Sequence, residues 1–124
     1  MKDNNLHNLE VYQLSRELSG IAWQIFSSMS WQEKKNMGDQ FISSIDSIGA
    51  NIAEGYGRFH YLDKIKFMYN ARGSFNEAIY HWLELLYERK LVGEKDYIKI
   101  QEISKIFIPK FNAYINSIYD AKNL

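Results

Sequence analysis

The feature that most constrains this chain is a helical periodicity that runs through four long segments and stops at only three short breaks. The breaks lie at 30–32, at 55–61, where Gly55 and Gly57 are expected to end a helix, and at 91–93. They divide the 124 residues into predicted helices at about 8–29, 32–54, 62–90 and 94–121. Short connections force long consecutive helices to pack as antiparallel neighbours. The pattern therefore predicts one all-α domain, 1–124, folded as an antiparallel up-down-up-down four-helix bundle.

Apolar side chains recur at steps of three and four within each segment, as the buried face of a helix requires. The predicted core positions are Val11, Leu14, Leu18, Ile21 and Ile25 in the first helix, Phe41, Ile45, Ile48 and Ile52 in the second, Ile65, Met68, Phe75, Ile79, Trp82 and Leu86 in the third, and Ile100, Ile103, Phe107, Tyr114 and Ile118 in the fourth. No strand pattern competes with this periodicity.

Two local signals refine the helices. Ser30 and Glu33 are spaced as a capping box, which predicts the start of the second helix. Pro109, the only proline, falls inside the fourth helix. Because proline removes a backbone hydrogen bond and clashes with the preceding turn, it predicts a kink or break near Phe107 or Ile108.

The composition excludes several classes of protein. The absence of cysteine rules out disulfides and thiolate zinc sites. No signal-peptide pattern and no apolar stretch of about 18 residues is present, so a cytoplasmic protein without membrane contact is expected. The 15 Lys and Arg residues balance 15 Asp and Glu residues. Proteins that bind nucleic acid usually carry a basic excess, so such a role would need a local patch or several copies of one.

Catalytic and metal-binding patterns are scarce. The histidines are His7, His60 and His81, and none follows a glutamate by three residues as in di-iron bundles. Glu77 and His81 share one helical face, but one pair on one helix does not make a metal site. The Gly-Tyr-Gly-Arg segment at 55–58 follows no strand and lacks the lysine of a phosphate-binding loop. We expect no enzymatic activity, no metal and no cofactor.

Polar residues line one side of the second helix and part of the third. Their spacing of three and four places them on common helical faces, and packing of the two faces would gather them at one end of the bundle. The predicted polar motif cluster is Ser47, Asn51, Glu54, Arg58, Ser74 and Glu77. Two interpretations remain open: a polar lock that fixes helix register, or a binding site. In a lock, removal of Glu54 would leave a donor unpaired and cost about 1–3 kcal/mol.

A second candidate site is a local excess of basic residues. Arg58, Lys64, Lys66 and Arg72 are accompanied by a single acidic residue, Asp63, and several aromatic residues lie among them. Lysine and arginine hold phosphates while rings stack on exposed bases, so this pattern suits nucleic acid. The four basic residues are the predicted nucleic-acid or partner-binding residues, and a solvated helix face is the competing interpretation.

Three motifs in the chain resemble a known family. They are Asn-Ile-Ala-Glu-Gly-Tyr-Gly-Arg at 51–58, Phe-x-x-x-Ala-Arg-Gly-Ser-x-x-Glu at 67–77, and Leu-x-Val-Tyr-Gln-Leu-Ser at 9–15. Together with Gln40 and Ser47, they resemble the bacterial four helix bundle protein family. Its first members were noted as open reading frames in intervening sequences of large-subunit ribosomal RNA genes, and some carry a ribosomal-protein label.

The resemblance implies a four-helix bundle that forms a homo-oligomer, a ring-shaped pentamer in characterised relatives. One relative, encoded beside diversity-generating retroelements, is strongly basic and is thought to bind nucleic acid, whereas this chain is neutral. The leading hypothesis is a non-enzymatic oligomeric binding protein of the intervening-sequence type, with RNA or a ribonucleoprotein as partner. The alternative is a protein-protein interaction or scaffold module without nucleic-acid binding, which nine tyrosines and zero net charge favour.

Overall fold

The computed structural model describes residues 5–121 and places most of them in helices. A short 3₁₀-helix, Asn5–Asn8, precedes the first long helix, α1, at Glu10–Ser27. The last long helix, α4, spans Glu94–Ala121.

The two central helices each contain a π-helical segment, in which the backbone hydrogen bonds span five residues instead of four. Helix α2 runs through Trp31–Glu33, the π-helical Lys34–Gly38, and Asp39–Tyr56. Helix α3 runs through Tyr61–Phe75, the π-helical Asn76–Leu83, and Glu84–Glu88. Sequence periodicity did not indicate either π segment.

The four long helices form a closed ring of neighbours. Helix α1 contacts α2, α2 contacts α3, α3 contacts α4, and α4 contacts α1. The connections between them are short, so consecutive helices are antiparallel. No strand occurs between residues 5 and 121. The predicted all-α up-down-up-down four-helix bundle is confirmed, and the predicted helix ends lie within two residues of the observed ones.

Apolar side chains from all four helices meet in one core. Most predicted core positions are buried, but Trp82, Ile103 and Tyr114 are only half-buried. Leu83, four residues after buried Ile79, takes the inward place expected for Trp82, while Ile79 and Leu86 are buried as predicted. Ile103 and Tyr114 instead lie at the edge of the core and line shallow grooves between α4 and α1. Phe111 fills the core face of α4 near Tyr114.

Of the kink or break predicted near Phe107 or Ile108, the break is wrong, because α4 continues through Pro109 to Ala121. The kink stays a prediction. Pro109 is exposed, while Phe107 and Phe111 on either side are buried. The carbonyl that loses its partner belongs to Lys105, which is also exposed. Water can therefore hydrate this carbonyl, and the fourth helix tolerates the missing hydrogen bond.

Side chains cap both ends of α2. At its start, the backbone N–H of Glu33 donates to Ser30 Oγ over 3.2 Å, and the N–H of Ser30 donates to Glu33 Oε1 over 2.9 Å. This confirms the predicted capping box. At its end, the Lys64 ammonium donates to the carbonyls of Tyr56 at 2.9 Å and Gly55 at 3.4 Å. Helix α3 thus supplies the cation that satisfies the last carbonyls of α2.

Gly55 lies where the end of α2 packs against the start of α3. A Cβ atom at this position would lie 2.5 Å from Met68 Cε, 2.9 Å from Phe67 Cβ and 3.2 Å from the carbonyl oxygen of Lys64. Met68 Cε can move aside, whereas Phe67 Cβ and the Lys64 carbonyl are held by the backbone of α3. Gly55 is therefore required for the close approach of two helices, and α2 continues past it to Tyr56.

Gly55→Ala should lower the free energy of unfolding by about 1–3 kcal/mol, because overpacking at this contact forces the two helices apart. The measurement is urea unfolding followed by circular dichroism. Gly73→Ala is the matched control, since Gly73 also lies within a helix but has nothing within 4 Å of a Cβ. That control should raise stability by about 0.4–1 kcal/mol. Equal effects of the two substitutions would contradict the proposed close approach.

Candidate functional site

The hydrogen bonds divide the six residues of the predicted polar motif cluster into separate groups. Ser47, Asn51 and Ser74 form the group that links two helices. Ser74 Oγ donates to Ser47 Oγ over 3.0 Å, from α3 to α2. Asn51 Nδ2 donates to the same hydroxyl over 3.0 Å and to the Ser47 carbonyl over 2.9 Å. This half-buried group joins the two helices in the way expected of a polar lock.

Glu54 and Arg58 form a separate surface pair. Arg58 Nη2 donates to Glu54 Oε2 over 2.7 Å, one helical turn away, and the two side chains are 44% and 54% exposed. The guanidinium also lies 4.9 Å from the centre of the Phe67 ring. Since exposed ion pairs of this kind contribute little, the expected cost of 1–3 kcal/mol for Glu54→Ala does not fit its position.

Glu77 belongs to neither group. Its carboxylate accepts a hydrogen bond of 2.8 Å from Trp82 Nε1, and both residues lie on α3. The exposed His81 ring packs edge-on against Trp82. Among the described residues, no three His, Cys, Asp or Glu side chains are close enough together to hold a metal ion.

The four predicted basic residues do not share one surface. Lys64 and Lys66 are two positions apart on α3, which places them about 200° apart around the helix axis. The Lys64 ammonium is already bound to the end of α2, and burial lowers the pKa of this group. Arg58 is paired with Glu54, as described above. These two cations are therefore engaged within the fold.

Arg72 and Lys66 differ sharply in their surroundings. Arg72 Nη2 donates to Asn112 Oδ1 on α4 over 2.6 Å, and its guanidinium lies 5.6 Å from the centre of the Tyr69 ring. Lys66 is exposed, and within residues 5–121 it forms no hydrogen bond or ion pair. Of the four predicted cations, Lys66 is thus the one left to solvent.

A group of aromatic and basic residues that the sequence analysis missed lies around the turn between α1 and α2. Trp23 and Trp31 are 57% and 74% exposed, respectively. The Lys35 ammonium lies 5.9 Å from the centre of the Trp31 ring, and the Lys34 ammonium lies 5.0 Å from that of Phe26. Trp23 stacks on Phe26 at 5.4 Å. We call these five residues the turn surface.

Neither Lys34 nor Lys35 forms an ion pair within the described part of the chain, so both charges are available to a partner. The π-helical segment of α2 begins at Lys34. A sequence signal did exist: Trp23 lies outside the apolar stripe of α1, and Trp31 is followed closely by two lysines.

The fold and these sites define a small helical-bundle protein with an interhelical polar lock and an exposed aromatic and basic surface. No helix between residues 5 and 121 has the length and hydrophobicity needed to cross a membrane. A family model described as 23S rRNA-intervening sequence protein matches residues 7–112. The chain therefore belongs to this family, as the resemblance of its motifs indicated. No curated protein matches the chain.

Two substitutions test how the polar motif is divided. Ser47→Ala should lower the free energy of unfolding by about 1–2 kcal/mol, because the half-buried Ser74 hydroxyl would lose its acceptor. Glu54→Ala should lower it by no more than about 0.5 kcal/mol, because its partner Arg58 remains hydrated. Both values come from urea unfolding at neutral pH. A larger effect for Glu54→Ala than for Ser47→Ala would contradict the division.

Proposed function

We propose that this protein is a non-enzymatic, homo-oligomeric binding protein that binds unpaired RNA, free or within a ribonucleoprotein. The observation that carries the proposal is the turn surface, where exposed Trp31 lies beside Lys35, exposed Trp23 stacks on Phe26 beside Lys34, and neither lysine forms an ion pair within residues 5–121. An exposed indole ring offers a stacking face to any base, and a neighbouring ammonium can contact the phosphate that follows. An exposed apolar patch, unlike a single exposed ring, often marks an interaction site.

The zero net charge of the chain limits how it could bind RNA. With 15 basic and 15 acidic residues, the chain as a whole has no attraction for a polyanion. Binding would therefore depend on the local charge of Lys34 and Lys35 and on base stacking. An oligomer repeats such a weak surface, and a single RNA strand that reaches several copies gains affinity from each one. The resemblance to characterised relatives supports a pentamer.

Exposed apolar residues at the other end of α2 support self-association. Phe59 in the turn between α2 and α3 is 90% exposed, and Leu62 at the start of α3 is 65% exposed. The length of α2, 26 residues from 31 to 56, separates this end from Trp31 by about 40 Å. Copies that associate through Phe59 and Leu62 would leave their turn surfaces free for RNA.

The second candidate function is a protein-binding scaffold without nucleic-acid affinity. Exposed Tyr69 and Tyr80 on α3 favour this alternative, since tyrosine is common in protein interfaces. Salt dependence distinguishes the two functions. Binding to RNA weakens steeply as salt rises, whereas an apolar protein contact does not.

Trp31→Ala should weaken binding to a fluorescently labelled single-stranded oligoribonucleotide by about tenfold or more, because one stacking ring is lost. Fluorescence anisotropy at low salt gives the affinity. Lys105→Ala is the matched control: it removes an exposed lysine that belongs neither to the turn surface nor to the predicted basic residues, and it should leave the affinity unchanged. If the wild-type protein does not bind the oligoribonucleotide at low salt, the RNA proposal fails and the scaffold becomes the better hypothesis.

Phe59→Glu should reduce the mass of the protein in solution to that of a smaller assembly, because a charge would replace the proposed apolar contact. Light scattering after size-exclusion chromatography measures the mass. Trp31→Glu serves as the control and should leave the mass unchanged, since the turn surface lies at the opposite end of α2. If Trp31→Glu alone dissociates the assembly, the two surfaces have been assigned to the wrong roles.

A further inference from the structure

A groove between α3 and α4 has no part in the function proposed above. Its volume is about 400 Å³. It is lined by Arg72, Phe75, Asn76 and Tyr80 of α3 and by Phe107, Ile108, Phe111 and Asn112 of α4. Small-molecule sites usually span about 300–1,000 Å³, so this groove has room for a compound of one or two rings.

Stacked aromatic rings form the deep part of the groove. Phe107 lies between Phe75 and Phe111, with ring centres 5.1 Å and 5.0 Å away and interplanar angles of 19° and 18°. All three side chains are almost fully buried. Tyr80 stands nearly perpendicular to Phe75 at 5.8 Å and is exposed, so it forms a side wall. Flat apolar surfaces set at a right angle favour a planar ring as the occupant.

The rim of the groove carries one uncompensated positive charge. Arg72 is held by its 2.6 Å hydrogen bond to Asn112, and this partner is a neutral amide. No acidic residue lines the groove, and Arg72 forms no ion pair within residues 5–121. A guanidinium has five N–H donors, so most of them are free to bind a carboxylate or phosphate. The amide of Asn76 adds a polar group on the same rim.

The backbone provides an independent reason to regard this groove as a site. The π-helical segment of α3 begins at Asn76 and includes Tyr80, two of the residues that line the groove. Segments of this type are frequently found at functional sites, where the wider turn repositions side chains. Within this segment Leu83 is buried in the core, while Tyr80 remains on the surface beside the groove.

We propose that the groove between α3 and α4 binds a planar aromatic compound with a single anionic group. The ring lies in the groove against the exposed face of Tyr80, above the stacked phenylalanines, and the anion pairs with Arg72 at the rim. An aromatic carboxylate and a nucleotide share this chemistry. The proposal does not depend on RNA binding at the turn surface.

The test is isothermal titration calorimetry with four separate probes. They are two aromatic anions, indole-3-acetate and uridine monophosphate, and two partial ligands, indole and acetate. At least one of the two aromatic anions should bind about tenfold or more tightly than indole, and acetate should not bind measurably, because ring and charge act together. Tighter binding of indole-3-acetate would identify a carboxylate as the ligand, and tighter binding of uridine monophosphate would identify a nucleotide. If neither anion binds more tightly than indole, the proposal is overturned.

Arg72→Gln should weaken binding of the better anion about tenfold or more and leave the affinity for indole unchanged, since only the charge is removed. Glutamine retains a donor for Asn112, and a thermal melt verifies the fold. Asn76→Trp should abolish binding of every probe by filling the groove from an exposed position. Lys66→Gln is the control on the same helix and should change nothing.

Two results would reject the site even where binding is seen. One is an equal loss of affinity in Lys66→Gln and Arg72→Gln, which would indicate general charge attraction. The other comes from nuclear magnetic resonance: amide signals from the groove that shift on dilution of the protein, but not on addition of the probe, would assign the groove to a second copy of this chain.

Discussion

The contact between the end of α2 and the start of α3 is the constraint on which the rest of this structure depends. Gly55 allows two helices to approach until a Cβ would lie 3.2 Å from a backbone carbonyl. The approach brings the Lys64 ammonium onto the last carbonyls of α2 and places Phe67 beneath the Arg58 guanidinium. Further along the same helix pair, Ser47 Oγ accepts a hydrogen bond from the Ser74 hydroxyl. The family motif at 51–58 is thus above all a packing motif.

The sequence was sufficient to predict the fold because periodicity, caps and short turns all indicate the same four helices. It failed where one pattern allows two placements. Steps of three and of four residues both keep an apolar stripe on one helical face, so Leu83 is buried where Trp82 was expected, while Ile79 and Leu86 are buried as predicted. The break at Pro109 was wrong because the effect of a proline depends on which side of the helix faces water, and a residue type alone does not give that.

The candidate site was less predictable, because sequence gives the charge of a residue but not whether a partner within the fold already uses that charge. Lys64 caps a helix and Arg58 pairs with Glu54, so two of the four expected basic residues stabilise the protein itself. The six residues of the polar motif cluster separate into different groups for the same reason. Spacing places side chains on a common face, whereas burial decides which of them bond to each other. Trp31 and Lys35 do stand close together in the sequence, but only the structure shows that the Trp31 ring is exposed and that the Lys35 ammonium lies beside it.

A neutral protein that binds RNA must gain its affinity from something other than total charge. Base stacking on tryptophan requires unpaired bases, while duplex binding depends largely on phosphate neutralisation, which this chain supplies weakly. The proposed turn surface should therefore prefer single strands to duplexes, and the stiffness of α2 would keep it well away from an assembly interface at Phe59. The close packing at Gly55 acts on this arrangement indirectly. It fixes the end of α2 against α3, and so holds the two ends of one helix in the positions that the two proposed surfaces require.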